Sequence, residues 1–179
     1  MELTTDASLK GPIWAETLDK LKGTVFDTYW DTFALSISIG MMYDGQIESD
    51  AMVPSDYDAE PRTVPRNVLG HAQNKALLEF MLQTALVTTK HLDLPEEQRL
   101  ELAFGGNKKL EFNAIAFLTK FANFGVKKIH EVIADADDVE LLEQLMTFLN
   151  TTYEAGVGVM DDDVEIDDDE EVVDIDDDE

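Results

Sequence analysis

The chain has 179 residues, of which 44% are hydrophobic, enough for one domain with a genuine core followed by a tail. The absence of cysteine excludes disulfides, cysteine-ligated zinc, iron–sulfur clusters and thiol catalysis. The formal charge is −26, and because residues 161–179 hold 14 acids and no base, −12 remains on residues 1–160. Such a balance disfavours a direct grip on nucleic-acid phosphates or an anionic membrane surface and favours a basic protein partner.

A salt-rich cytoplasm also selects acidic surfaces, but ten of the thirteen bases are lysines, which is not a lysine-depleted surface. The start, MELTTDASLK, has neither a basic nor an apolar signal region, and no run of 18 apolar residues occurs, so a cytoplasmic location is expected.

Residues 1–11 are expected to be flexible. Gly11-Pro12 precedes Ile13, Trp14, Leu18 and Leu21 at helical spacing, and Gly23 follows, which predicts a short helix that lays Trp14 across the core. Thr24 to Gly40 carries Phe26, Tyr29, Trp30, Phe33, Ile37 and Met41 at three- and four-residue steps. That spacing predicts a second helix, with a strand as the alternative for LSISIG. Gly40 either closes this helix or permits close packing. Residues 44–66, broken by Pro54, Pro61 and Pro65, read as a long loop, functional or disordered, with Met52, Val53 and Tyr57 available to bury.

Asn67 to His91 predicts a long amphipathic helix with a stripe of Val68, Leu69, Ala72, Ala76, Leu77, Phe80, Met81, Leu82, Ala85 and Leu86. A further helix is capped by Asp93, carries Leu100, Leu102, Ala103 and Phe104, and stops at Gly105-Gly106. The stretch Leu110 to Gly125, entered through Asn107-Lys108-Lys109, is apolar on nearly every side and predicts the central buried helix. Gly125 is expected to end it, with Val126, Ile129, Val132 and Ile133 on a separate short helix. Asp137 and Glu140 resemble a capping box ahead of Leu141, Leu142, Leu145, Met146, Phe148, Leu149 and Tyr153, the last core face, with Gly156 and Gly158 at its end.

The candidate chemistry is sparse. His130-Glu131-Val132-Ile133-Ala134 begins like a zincin helix but lacks the second histidine, and His71 and His91 are twenty residues apart. Gly105-Gly106-Asn107-Lys108-Lys109 lacks the spacing of a phosphate loop. The Asp runs lack the central glycine and spaced ligands of a calcium loop. No catalytic residue, cofactor site or metal site is therefore expected. The partner-binding candidates are the acids of the tail: Asp161, Asp162, Asp163, Glu165, Asp167, Asp168, Asp169, Glu170, Glu171, Asp174, Asp176, Asp177, Asp178 and Glu179. Val164, Ile166, Val172, Val173 and Ile175 among them suit docking on a basic groove with apolar pockets, and a merely solubilising tail is the alternative.

Phe33-Ala34-Leu35, Ile39-Gly40, Asp44-Gly45 and, much later, Phe121-Ala122-Asn123-Phe124-Gly125-Val126 form a pattern that resembles small helical accessory proteins of phosphorothioation-type (Dnd-associated) DNA-modification and antiphage defence loci. Phe124 stands where that family shows a glycine. The resemblance covers two short motifs within residues 26–133 and implies a nonenzymatic accessory role with no catalytic residue to carry over.

The expected fold is all-α: a single compact bundle of five to seven helices over residues 12–155, then a disordered acidic tail over residues 156–179. The expected function is a nonenzymatic adaptor that docks on a basic protein, which the resemblance places in a DNA-modification or antiphage defence system, with the tail as a regulatory or nucleic-acid-competing segment. A DNA-mimic inhibitor and, last, a small enzyme using His71 or His130 with carboxylates are the alternatives.

Overall fold

The computed structural model describes residue 3, residues 5–105 and residues 112–161. Among these the fold is all-α, with seven helices: α1 (Pro12–Leu21), α2 (Tyr29–Met42), α3 (Arg66–Leu69), α4 (Ala72–Thr88), α5 (Glu96–Leu100), α6 (Ala114–Ile133) and α7 (Leu141–Asp161). Strands β1 (Ala7–Leu9) and β2 (Arg62–Val64) pair antiparallel, with Ala7 opposite Val64 and Leu9 opposite Arg62. A 3-10 turn occupies Ser49–Met52 and a π turn Glu101–Gly105. Of residues 156–179, expected to form a disordered tail, residues 156–161 continue α7, which runs through Gly156 and Gly158 instead of ending there, and residues 162–179 lie outside the described residues.

The central helix is α6, as its all-round apolar character predicts, and it buries Ile115, Phe117, Leu118, Phe121, Ala122, Val126, Ile129 and Ile133. Its bounds differ from expectation at both ends. Asn113 caps it, accepting a hydrogen bond from the Ala116 N–H at 3.0 Å. At the other end the helix runs straight through Gly125 to Ile133, joining the two helices expected there into one.

Gly125 has a different task. A Cβ built on it would lie 1.9 Å from the Ser36 carbonyl oxygen, and one built on Gly40 would lie 2.1 Å from that of Phe121. Ser36 and Gly40 are one helical turn apart on α2, as are Phe121 and Gly125 on α6. The pairing Ser36 with Gly125 and Gly40 with Phe121 makes the two helices antiparallel. At this crossing each glycine lets the opposite backbone come to a separation that any side chain would forbid. Of the two roles open to Gly40 the structure takes close packing. Helix α2 ends later, where Asp44 adopts φ 45° and the Gly45 N–H donates to the Gly40 carbonyl at 2.8 Å. Its start is fixed by Thr28, whose N–H and hydroxyl both donate to the Asp31 carboxylate.

The crossed pair divides the interior in two. On one side Phe33 and Ile37 of α2 and Phe117, Leu118 and Phe121 of α6 meet Trp14, Leu18, Leu69, Leu78, Leu82 and Leu86. On the other, Ile39, Ile129 and Ile133 meet Leu21, Leu141 and Leu145, so that α7 covers a second, smaller core. Burial of side chains this size contributes roughly 1.5–3 kcal/mol each.

Asn123 is the polar knot of the larger core. Its Oδ1 accepts from the Trp14 indole N–H at 2.8 Å, and its Nδ2 donates to the Ile47 carbonyl at 3.0 Å and the Ser49 hydroxyl at 3.3 Å. The Ile47 N–H also donates to the Lys120 carbonyl at 3.0 Å. Much of the long 44–66 loop is thus a structural strap over α6, with Met52 buried beneath it. The N-terminal segment is likewise fastened: Ala7 and Leu9 are buried in β1, where a flexible leader was expected. Two apolar positions on a strand that pairs across fifty residues give no local periodicity to read.

The expected Asn67–His91 helix is broken at Gly70-His71 into α3 and α4. Its inward face is Leu78, Met81, Leu82, Ala85 and Leu86, while Leu77 and Phe80 point outward. The helix expected after an Asp93 cap begins instead behind Pro95. Lys20 closes the far end of α6, donating to the carbonyls of Ile133 and Ala134, a cation placed at the negative end of the helix dipole.

Three substitutions test this packing. Gly125→Ala should destabilise by about 3 kcal/mol in urea unfolding, because the two backbones must part. Gly23→Ala, at φ 80° with nothing within 4 Å of the new methyl, should cost only about 1 kcal/mol. In the opposite direction, the Thr17 hydroxyl is buried without a hydrogen-bond partner among the described residues. Thr17→Val should therefore raise stability by about 1 kcal/mol in the same assay.

Candidate docking face

The histidines do not converge. His71 sits exposed at the start of α4. His91 Nε2 lies 3.7 Å from the Asp44 carboxylate at the surface, and His130 Nε2 lies 2.8 Å from that of Glu16, joining α6 to α1. Each meets a single carboxylate or none, and among the described residues no group of three or more His, Asp or Glu side chains could hold a metal ion. Gly105 closes the π turn, and Gly106-Asn107-Lys108-Lys109 lie outside the described residues. No helix of the described residues is long and apolar enough to cross a membrane.

Of the tail acids, Asp161 is the last residue of α7, and the remaining candidates from Asp162 to Glu179 lie outside the described residues. The described charges show how the body's own imbalance is arranged. Lys10, Arg62, Lys75, Lys120 and Lys128 are each within 4 Å of a carboxylate, those of Asp50, Asp19, Glu79, Glu48 and Glu131. Arg99 donates to the carbonyls of Leu86, Val87 and Thr89, where it ties α5 to the end of α4. Surface pairs of this kind contribute about 0–1 kcal/mol each. Their larger consequence is that these bases are engaged within the molecule, while over the whole sequence acids outnumber bases threefold, 39 to 13.

Helix α7 carries an apolar surface that is only partly covered. Asp137 fastens its start, with Oδ1 accepting from the N–H groups of Val139 and Glu140, both at 2.9 Å. Leu141, Leu145 and Thr152 form the line buried against α2 and α6. On one side of that line Leu142, Met146 and Tyr153 stay 51%, 54% and 65% exposed. On the other lies an open groove of about 490 Å³, lined by Val132, Glu140, Glu143, Gln144, Thr147 and Phe148. The Tyr43 hydroxyl reaches this helix, 3.3 Å from that of Thr152, and the Tyr43 ring packs at a tilt against Phe124, with 5.9 Å between centroids.

A second apolar patch lies on α4 and the π turn, where Leu77, Phe80 and Phe104 are exposed. It borders residues 106–111, which are not described. Neither patch stands out in the sequence, because Leu142, Met146 and Tyr153 share the helical period of the buried residues and read as core.

Against known proteins, the chain matches no family model, and no curated protein or solved structure resembles it significantly. Its class is accordingly defined by its own architecture: a small all-α protein in which the last helix of the described residues carries both uncovered apolar side chains and acids.

Replacing Leu142, Met146 and Tyr153 together by glutamine should leave the helical circular dichroism unchanged and alter stability by no more than about 0.5 kcal/mol per site. The same replacement should reduce binding of a hydrophobic dye, since those side chains are the uncovered part of α7.

Proposed function

We propose that the chain is a nonenzymatic adaptor that docks on a basic protein surface, with the acids of residues 161–179 as a long-range attractor. The observation that carries this reading is the charge arrangement: −26 overall, 14 of the acids within the last 19 residues, and no lysine or arginine after Lys128. Such a field steers a basic partner and speeds encounter, and its effect falls as salt rises. The sequence resemblance to accessory proteins of phosphorothioation-type DNA-modification and antiphage defence loci extends the proposal to a partner from such a system, itself a nucleic-acid-binding protein.

A second reading is a DNA-mimic inhibitor, favoured by the −12 charge on residues 1–160. It differs in one respect: the body alone would have to compete with DNA for the target.

Affinity capture with the full chain and with residues 1–160, followed by kinetics on the recovered partner, separates the two. The adaptor reading predicts that deleting 161–179 slows association about tenfold at low salt, and that the difference vanishes at high salt. Binding unaffected by both deletion and salt would refute it. Residues 1–160 displacing DNA from the partner on their own would favour the mimic.

A further inference from the structure

We infer that the uncovered side of α7 is a docking site for an amphipathic helix of the partner, one with an apolar stripe flanked by lysine or arginine. The inference rests on the basic-partner reading above and gives it a place on the molecule.

Leu142, Met146, Leu149 and Tyr153 follow one another at four-, three- and four-residue steps, so they form a continuous stripe about 16 Å long on one side of α7. Leu149 is half-buried against the smaller core, and the other three are largely exposed. The apolar arc of α7 is thus wider than the body covers. A helix with such an arc has a second apolar surface to bury, and the spacing is that by which helices recognise helices. Met146 suits such a contact, because an unbranched thioether adapts to the shape laid against it.

The charges select the occupant. On the helical period Glu143 and Glu154 flank the stripe, and between Asp135 and Glu154 the chain has no lysine or arginine. A second copy of this chain laid α7 to α7 would bring these acids face to face, a like-charge arrangement that disfavours association. A neutral apolar helix would bury the stripe and leave the carboxylates unpaired. A cationic amphipathic helix satisfies both, with its stripe on Leu142, Met146 and Tyr153 and its bases beside Glu143 and Glu154.

The full-length protein can be tested with a designed Lys/Leu peptide about five turns long, in which the leucines form one stripe. The control peptide has the same composition in scrambled order. The stripe peptide should bind about tenfold more tightly than the scrambled one by fluorescence anisotropy. The L142Q/M146Q/Y153Q variant should lose that preference while keeping its helical circular dichroism. L77Q/F80Q/F104Q, in the other apolar patch, should retain it.

Equal, salt-sensitive binding of both peptides would overturn the α7 site and leave the basic-partner reading standing. Binding of neither would overturn both. A preference that survives in the α7 variant would place the site elsewhere. A wild-type dimer in sedimentation equilibrium that L142Q/M146Q/Y153Q dissolves would assign the face to a second copy instead.

Discussion

The crossing of α2 and α6 is the contact on which the remaining structure depends. Gly40 and Gly125 bring each helix against a carbonyl of the other, and every other element is placed relative to the pair they hold. Were the two axes pushed apart by the width of a methyl group, the aromatic contacts on one side and the isoleucines on the other would both open. Interiors packed at crystalline density do not absorb such a shift smoothly. The larger core then needs a polar lock as well as apolar area. Asn123 supplies it by joining α6 to Trp14 of α1 and to the strap at Ile47 and Ser49, with both halves of its amide satisfied.

The same division explains why α7 differs from the other long helices. The crossed pair presents its larger core to α1, α4 and the strand pair, and only the smaller core to α7. A single line of α7 side chains is enough to close that smaller core. The rest of its apolar arc remains at the surface, on the one helix that leads directly into the acidic end of the chain. Along the sequence the uncovered apolar side chains of α7 are thus followed directly by the run of acids.

Much of this was legible in the residues, and the gaps have physical causes. The all-α class, the buried central helix and the burial of Trp14 follow from spacing and composition alone. Gly125 reads as a helix end in the sequence because a glycine that stops a helix and one that admits a neighbouring backbone look alike in one dimension. Only the presence of Ser36 across the gap decides between them. Leu77 and Leu78 are adjacent leucines, and nothing local says that Leu78 faces inward; the break at Gly70-His71 resets the phase of the helix. Strand β1 and the Trp14–Asn123 bond join residues 50 to more than 100 positions apart, beyond the reach of any periodic pattern. On α7 the apolar arc was visible in full, but which part of it is covered depends on where α2 and α6 stop. The resemblance to defence-associated proteins rested partly on glycines 40 and 125, and the crossing gives both a structural reason to be there.

The proposed docking face of acids and uncovered apolar side chains is carried by a glycine-crossed body. Hydrogen–deuterium exchange of the full chain, alone and with a partner recovered by affinity capture, bears on it most directly. Protection gained along α7 between Leu142 and Tyr153, with the amides of α2 and α6 slow in both states, is the predicted result. A footprint confined to α4 and the π turn, with α7 exchanging as in the free protein, would contradict it.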